Sequence, residues 1–86
     1  MLLKIILEKS TVKLVLKEGT KDVAETSWLG DFSLSERLLL EIDILLEKNN
    51  FSKEQVEKAV AIYDEQSSVT SARIVQTVAD AWNAAR

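Results

Sequence analysis

Lys58 to Val75 reads KAVAIYDEQSSVTSARIV: a short apolar run, a polar turn, and the first residues of a helix. Ala59 to Tyr63 is too short for a helix and lies between a charged segment and a polar cluster, which predicts a buried strand. Asp64 to Ser68 carries no hydrophobe. Ser68 or Thr70 can cap the helix that follows, because a hydroxyl accepts a bond from the free amides of a first helical turn. In a parallel sheet, a strand feeding a helix N-terminus is where anions and phosphates bind. This turn has no glycine to bring backbone close to a phosphate, and Asp64 and Glu65 add repulsion. The stretch predicts the architecture of a ligand loop without its chemistry, and no ATP or phosphate bound there.

Around that stretch, residues 1–86 are expected to form one small domain, with 47% hydrophobic composition and two glycines. A core of this size gives marginal stability, so a partner or self-association is expected. The net charge is −3, from eleven basic and fourteen acidic residues that interleave without a basic stripe. Nucleic acid is therefore not expected as a direct ligand. The absence of cysteine and histidine removes disulfides, thiolate nucleophiles, the usual zinc ligands and the usual general base. The opening MLLKIIL is broken by Lys4 and ends at Glu8, too soon for a signal segment. No stretch approaches the ~20 apolar residues of a spanning helix. A soluble cytoplasmic protein with no membrane contact is expected.

Taken in order, Leu2 to Leu7 is a nearly continuous apolar run of strand length, which suits a central strand covered on both faces. After a tight polar connection over Glu8 to Thr11, Val12, Leu14 and Leu16 alternate with Lys13 and Lys17 in a second strand. Lys17 to Thr20 supplies a hairpin turn with Gly19 at the positive-φ position, and Asp22 to Trp28 gives a third strand near an edge. Ser33 and Glu36 have the form of a capping box that opens a helix running to about Asn49. At about 100° per residue, Leu34, Leu38, Leu39, Ile42, Leu45 and Leu46 share one apolar face, while Leu40 and Ile44 lie on the opposite side. A helix lying on a sheet needs one stripe, so the second asks for a second covering surface. Ser52 and Gln55 suggest a short helical turn before the Ala59 strand. In the last helix, Val69 to about Ala85, the apolar arc is centred on Ile74, Val78, Ala81 and Ala85, with Val75, Ala79 and Trp82 on its shoulder. Arg73, Gln76, Thr77, Asp80 and Asn83 take the polar side.

The order β-β-β-α-β-α describes an α/β mixed sheet with two main helices, the first half of a ribonuclease H-like fold and the module duplicated in actin-like ATPases. Several short motifs resemble the TsaB (YeaZ) family, the non-catalytic partner in bacterial tRNA threonylcarbamoyladenosine synthesis. Leu34-Ser35-Glu36-Arg37-Leu38-Leu39 resembles the H-S-E-R-L-L opening of its first helix. Lys58-Ala59-Val60-Ala61-Ile62 matches its D-A-I-A-V strand, and Ser68-Val69-Thr70-Ser71-Ala72-Arg73-Ile74-Val75 its S-F-T-G-L-R-I-G run. Three features depart: Glu8-Lys9-Ser10-Thr11 stands where the family has D-T-S-T, Leu34 where it has histidine, and every loop glycine is gone. The half that completes a two-domain nucleotide cleft in the family is not among these 86 residues. The resemblance implies an interaction subunit without catalytic residue, metal or cofactor. Its two helices would meet a TsaD-like subunit or a second copy through Arg37, Leu40, Ile44, Ala72, Val75, Ala79 and Trp82.

Two other readings fit the same residues. One is an orphan homodimeric module with no tie to tRNA modification. The other is a two-metal nuclease on the ribonuclease H-like fold, with Glu8, Glu36 or Glu41, and Asp64 as its carboxylates, since two divalent ions need several acidic oxygens converging on one phosphate.

Overall fold

The apolar run at the N-terminus becomes the pivot of the sheet. In the computed structural model, which describes residues 1–30 and 34–85, β1 (Leu2–Glu8), β2 (Thr11–Glu18) and β3 (Lys21–Leu29) form an antiparallel meander. They are followed by α1 (Leu34–Lys48), a 3-10 turn at Lys53–Gln55, β4 (Lys58–Tyr63) and α2 (Val69–Ala84). The strand order is β3-β2-β1-β4, with β4 parallel to β1 in a register that sets Leu3 opposite Ala59 and Ile5 opposite Ala61. None of the described helices is long and apolar enough to cross a membrane.

Alternation along the strands decides where the core lies. Leu3, Ile5 and Leu7 of β1, Val12, Leu14 and Leu16 of β2, and Ala59 of β4 are buried on one face. That face joins Leu34, Leu38, Ile42, Leu45 and Leu46 of α1 and Val75 and Ala79 of α2 in a single cluster. Both helices therefore cover the same side of the sheet. The expectation that β1 is covered on both faces is corrected, because Leu2, Lys4 and Ile6 are only half-buried on the other side. On that side Val15 lies opposite Lys4 and Glu25 in the ladders, and Lys13 pairs with Glu25 at 3.3 Å. Long charged side chains there cover apolar neighbours with their stems while their heads stay wet.

The turns follow the residues able to make them. Lys9 (φ 54°) and Gly19 (φ 64°) hold the two hairpins, and Asn50 (φ 60°) lies in the turn that ends α1. Asparagine is among the few residues with a side chain that visit this region readily. The Ser52 N–H donates to Gln55 Oε1 at 2.7 Å, opening the 3-10 turn, and Ser68 caps α2 by accepting from the Ser71 N–H at 3.1 Å. The capping box expected from Ser33 and Glu36 lies outside the described residues at Ser33.

Gly30 leaves β3 under the hairpin, donating to the Ser10 carbonyl at 2.6 Å. A Cβ at this position would sit 3.2 Å from that same oxygen and 3.3 Å from Val12 Cγ2. Gly30→Ala is expected to destabilise the domain by about 1–3 kcal/mol, the range for overpacking against backbone. Thermal denaturation of the variant measures it.

Candidate interaction surface on the two helices

The two helices pack against each other and leave a groove open to solvent. It has a volume of about 640 Å³ and is lined by Leu39 from α1, Thr77, Val78, Ala81, Trp82 and Ala85 at the α2 end, and Lys53 and Glu54 from the 3-10 turn. Small residues of α2 and the Trp82 ring line it. The Trp82 indole N–H donates to the Val56 carbonyl at 3.1 Å, which pins the ring and ties the end of α2 to the loop entering β4. A held aromatic beside flat aliphatic surface can anchor a partner, because little side-chain entropy is lost on binding.

The residues expected to form one patch do not stay together. Val75 and Ala79 are 0% and 1% exposed and belong to the core, so they are not available to a partner. Ala72 is half-buried on the flank of α2 near Tyr63, away from α1. Arg37 turns toward β3: its guanidinium lies 5.8 Å from the Trp28 ring centroid and its Nε is 3.3 Å from Glu41 Oε1. Leu40 (56% exposed) and Ile44 (39%) do not line the α1–α2 groove. Only Trp82 among the seven expected residues lines it. Leu39, assigned to the core from its spacing, is instead 54% exposed and forms the α1 wall. Its place at the rim of the leucine arc on the helical wheel was the available signal.

The β4–α2 turn closes on itself. Ser67 Oγ donates to Asp64 Oδ1 at 2.8 Å, and the Ser67 N–H to the Asp64 carbonyl at 3.2 Å. A cleft of about 760 Å³ beside it, at the carboxyl end of β1, is lined by Leu7, Lys9, Ser10, Gly30, Leu34, Gln66, Ser68, Thr70, Ser71 and Ile74. The carboxylates of the nuclease reading are not brought together. Glu8 lies beside Lys13 and Glu25 on the open sheet face, Glu41 bonds Arg37, and Asp64 bonds Ser67. Among the described residues no three acidic side chains are grouped as a metal site would need.

Among the solved structures that match, two superpose over 98% of the chain. YeaZ from Pseudomonas aeruginosa matches with a TM-score of 0.82 at 17% identity. The fold is that of the matching part of YeaZ. A structure described as an uncharacterized protein with similarity to peptidase YEAZ, from Pseudomonas aeruginosa, matches with a TM-score of 0.80 at 16% identity. By sequence, no protein-family model and no curated protein matches. The chain spans 38% of the length of each of these two structures. The YeaZ likeness fits the α/β ribonuclease H-like order of elements, with the mixed β3-β2-β1-β4 sheet under two helices. The β4–α2 turn, Tyr63 to Ser67, contains no glycine and is held by serine and aspartate bonds.

Proposed function

We propose that this chain is a non-catalytic interaction subunit that docks a TsaD-like protein in tRNA threonylcarbamoyladenosine modification, using the α1–α2 groove. The observation that carries the reading is an apolar, solvent-open groove with a pinned tryptophan, on a domain with the YeaZ fold. A helix laid into it would cover Leu39, Val78, Ala81 and Trp82, the helix-in-groove mode of recognition. A second copy of the same helix pair presents a similar surface, so homodimerisation competes with the heteromer for the groove. The reading places the protein in the cytoplasm, with nucleic acid met only through its partner. Calorimetric titration with a TsaD-like subunit from the same source tests it, and absence of binding from a parent that is monomeric in sedimentation velocity would remove it.

The same reading assigns no nucleotide to the β4–α2 turn. Its motive is the glycine-free backbone, with Asp64 and Glu65 where a phosphate would approach. Titration with Mg-ATP is expected to give no heat of binding, and micromolar affinity would sink this part of the proposal.

A further inference from the structure

The α1–α2 groove does not stop at the apolar stretch around Val78. A hollow of about 280 Å³ continues it toward the start of both helices, lined by Ser35 of α1 and by Thr70, Arg73, Ile74, Thr77 and Val78 of α2. Thr77 and Val78 line both parts, so the two make one trough. Its ends differ in chemistry. Ser35 and Thr70 each stand one position inside their helix, so α1 and α2 begin at the same end of the trough and run in the same direction. Two helix N-termini side by side make that end electropositive.

Arg73 adds a full charge there. Of the two arginines described, Arg37 bonds Glu41 and lies over the Trp28 ring, whereas the exposed Arg73 guanidinium has neither an ion pair nor a hydrogen bond among the described residues. Asp64 and Glu65 border a separate hollow on the other flank of Arg73 without pairing with it, and Asp64 bonds Ser67 instead. An occupant that lies along the whole trough takes Arg73 out of water, and a cation covered without an acceptor opposes binding strongly. A fitting occupant therefore brings an acceptor. The planar guanidinium matches a carboxylate best, since two parallel N–H donors face its two oxygens.

We propose that the partner helix seated in the groove carries an aspartate or glutamate that pairs with Arg73, about nine residues along from the apolar side chain set against Trp82. The inference rests on the helix-in-groove reading above and adds its register. Arg73 and Trp82 stand nine positions apart on α2, a span of roughly 13 Å at the rise of an α-helix. A docked helix lying close to the direction of α2 has the same rise. The acid then decides which way round the helix lies and how far along it sits, because a reversal or a slide of one turn takes the carboxylate away from Arg73. Such a pair acts on specificity more than on raw affinity.

The test measures association and dissociation rates of the chain with a TsaD-like subunit from the same source, for the parent and for Arg73→Met, Arg73→Lys and Arg73→Glu, at low and high salt. Arg73→Met keeps an apolar stem without the charge and is expected to raise the dissociation rate by about tenfold or more, the scale for removing one member of a covered charge pair. Arg73→Lys keeps the charge without the fork and recovers part of that loss. Arg73→Glu sets two carboxylates together and is expected to lower affinity by about 100-fold or more. Rising salt weakens the parental complex more than the Arg73→Met complex. Because Arg73 is exposed, the variants should melt with the parent. Leu39→Glu, measured alongside, separates the two claims. If it abolishes binding while Arg73→Glu binds at the parental affinity, or while Arg73→Met changes the association rate alone, the acidic contact is overturned and the groove stands. If the parent does not bind, or Leu39→Glu binds as the parent does, the groove reading falls and the acidic contact with it.

Discussion

Ile42→Ala is expected to lower the stability of the domain by about 2–5 kcal/mol, the cost of deleting a fully buried aliphatic side chain and leaving a cavity. Ile42 is 1% exposed and sits in the middle of the α1 stripe, between Leu38 and Leu45, where it packs in the cluster that joins both helices to β1 and β2. The site has little freedom to collapse, because the cluster it belongs to joins both helices to strands fixed by their ladders. Small single domains have total stabilities of only about 5–15 kcal/mol. A loss of that size would lower the melting temperature by roughly 10 °C or more, and chemical denaturation of the variant reads it directly. A variant that melts within a few degrees of the parent would place Ile42 outside the core and require α1 to be turned on the sheet.

That expectation was readable from the sequence because α1 has a wide and strongly apolar face. Leu34, Leu38, Ile42, Leu45 and Leu46 fall within one arc, and the structure buries all five. Leu39 lies at the rim of the same arc, and spacing alone cannot say whether a rim residue turns under the helix or out into a groove. Helix α2 was harder for the opposite reason. Its apolar arc covers about half the cylinder and mixes three alanines with Ile74, Val75, Val78 and Trp82, so the periodicity gives no sharp centre. The structure buries the arc's shoulder, Val75 and Ala79, and leaves its centre, Ala81 and Ala85, exposed in the groove. The small side chain at Ala79 lets the helix lie close to the sheet, which a wheel weighted by hydrophobicity does not capture. The strands were legible from alternation and length. Their shared covering on one face was not, because the half-buried Leu2 and Ile6 look the same in sequence as a fully covered strand. The bond from the Ala59 N–H to Asn83 Oδ1 spans 24 positions and depends on where the end of α2 meets the start of β4, so nothing local announces it.

Leu39→Glu is the substitution expected to act most strongly on association. Leu39 contributes the α1 wall of the groove yet is more than half exposed, so the free protein should tolerate the change to within about 0.5 kcal/mol, as surface substitutions in helices commonly do. In a complex the new carboxylate would be buried against Val78 and Trp82 without a counter-charge, unless Lys53 at the groove margin swings to meet it. Lys53 already lies 3.2 Å from Asp43, which opposes that rescue. Stranding a charge in an interface costs several kcal/mol, so affinity for a TsaD-like subunit, or for a second copy, is expected to fall by about 100-fold or more. The paired substitution Leu40→Ser with Ile44→Ser is the control, since those side chains are exposed on α1 outside the groove. It should leave affinity nearly unchanged. The reverse result, with the serine pair abolishing binding and Leu39→Glu leaving it intact, would move the docking surface to the side of α1 that carries Arg37 against Trp28. In that arrangement Trp82 would be a residue that finishes the core and no longer a partner anchor, and the proposed role of the groove would fall with it.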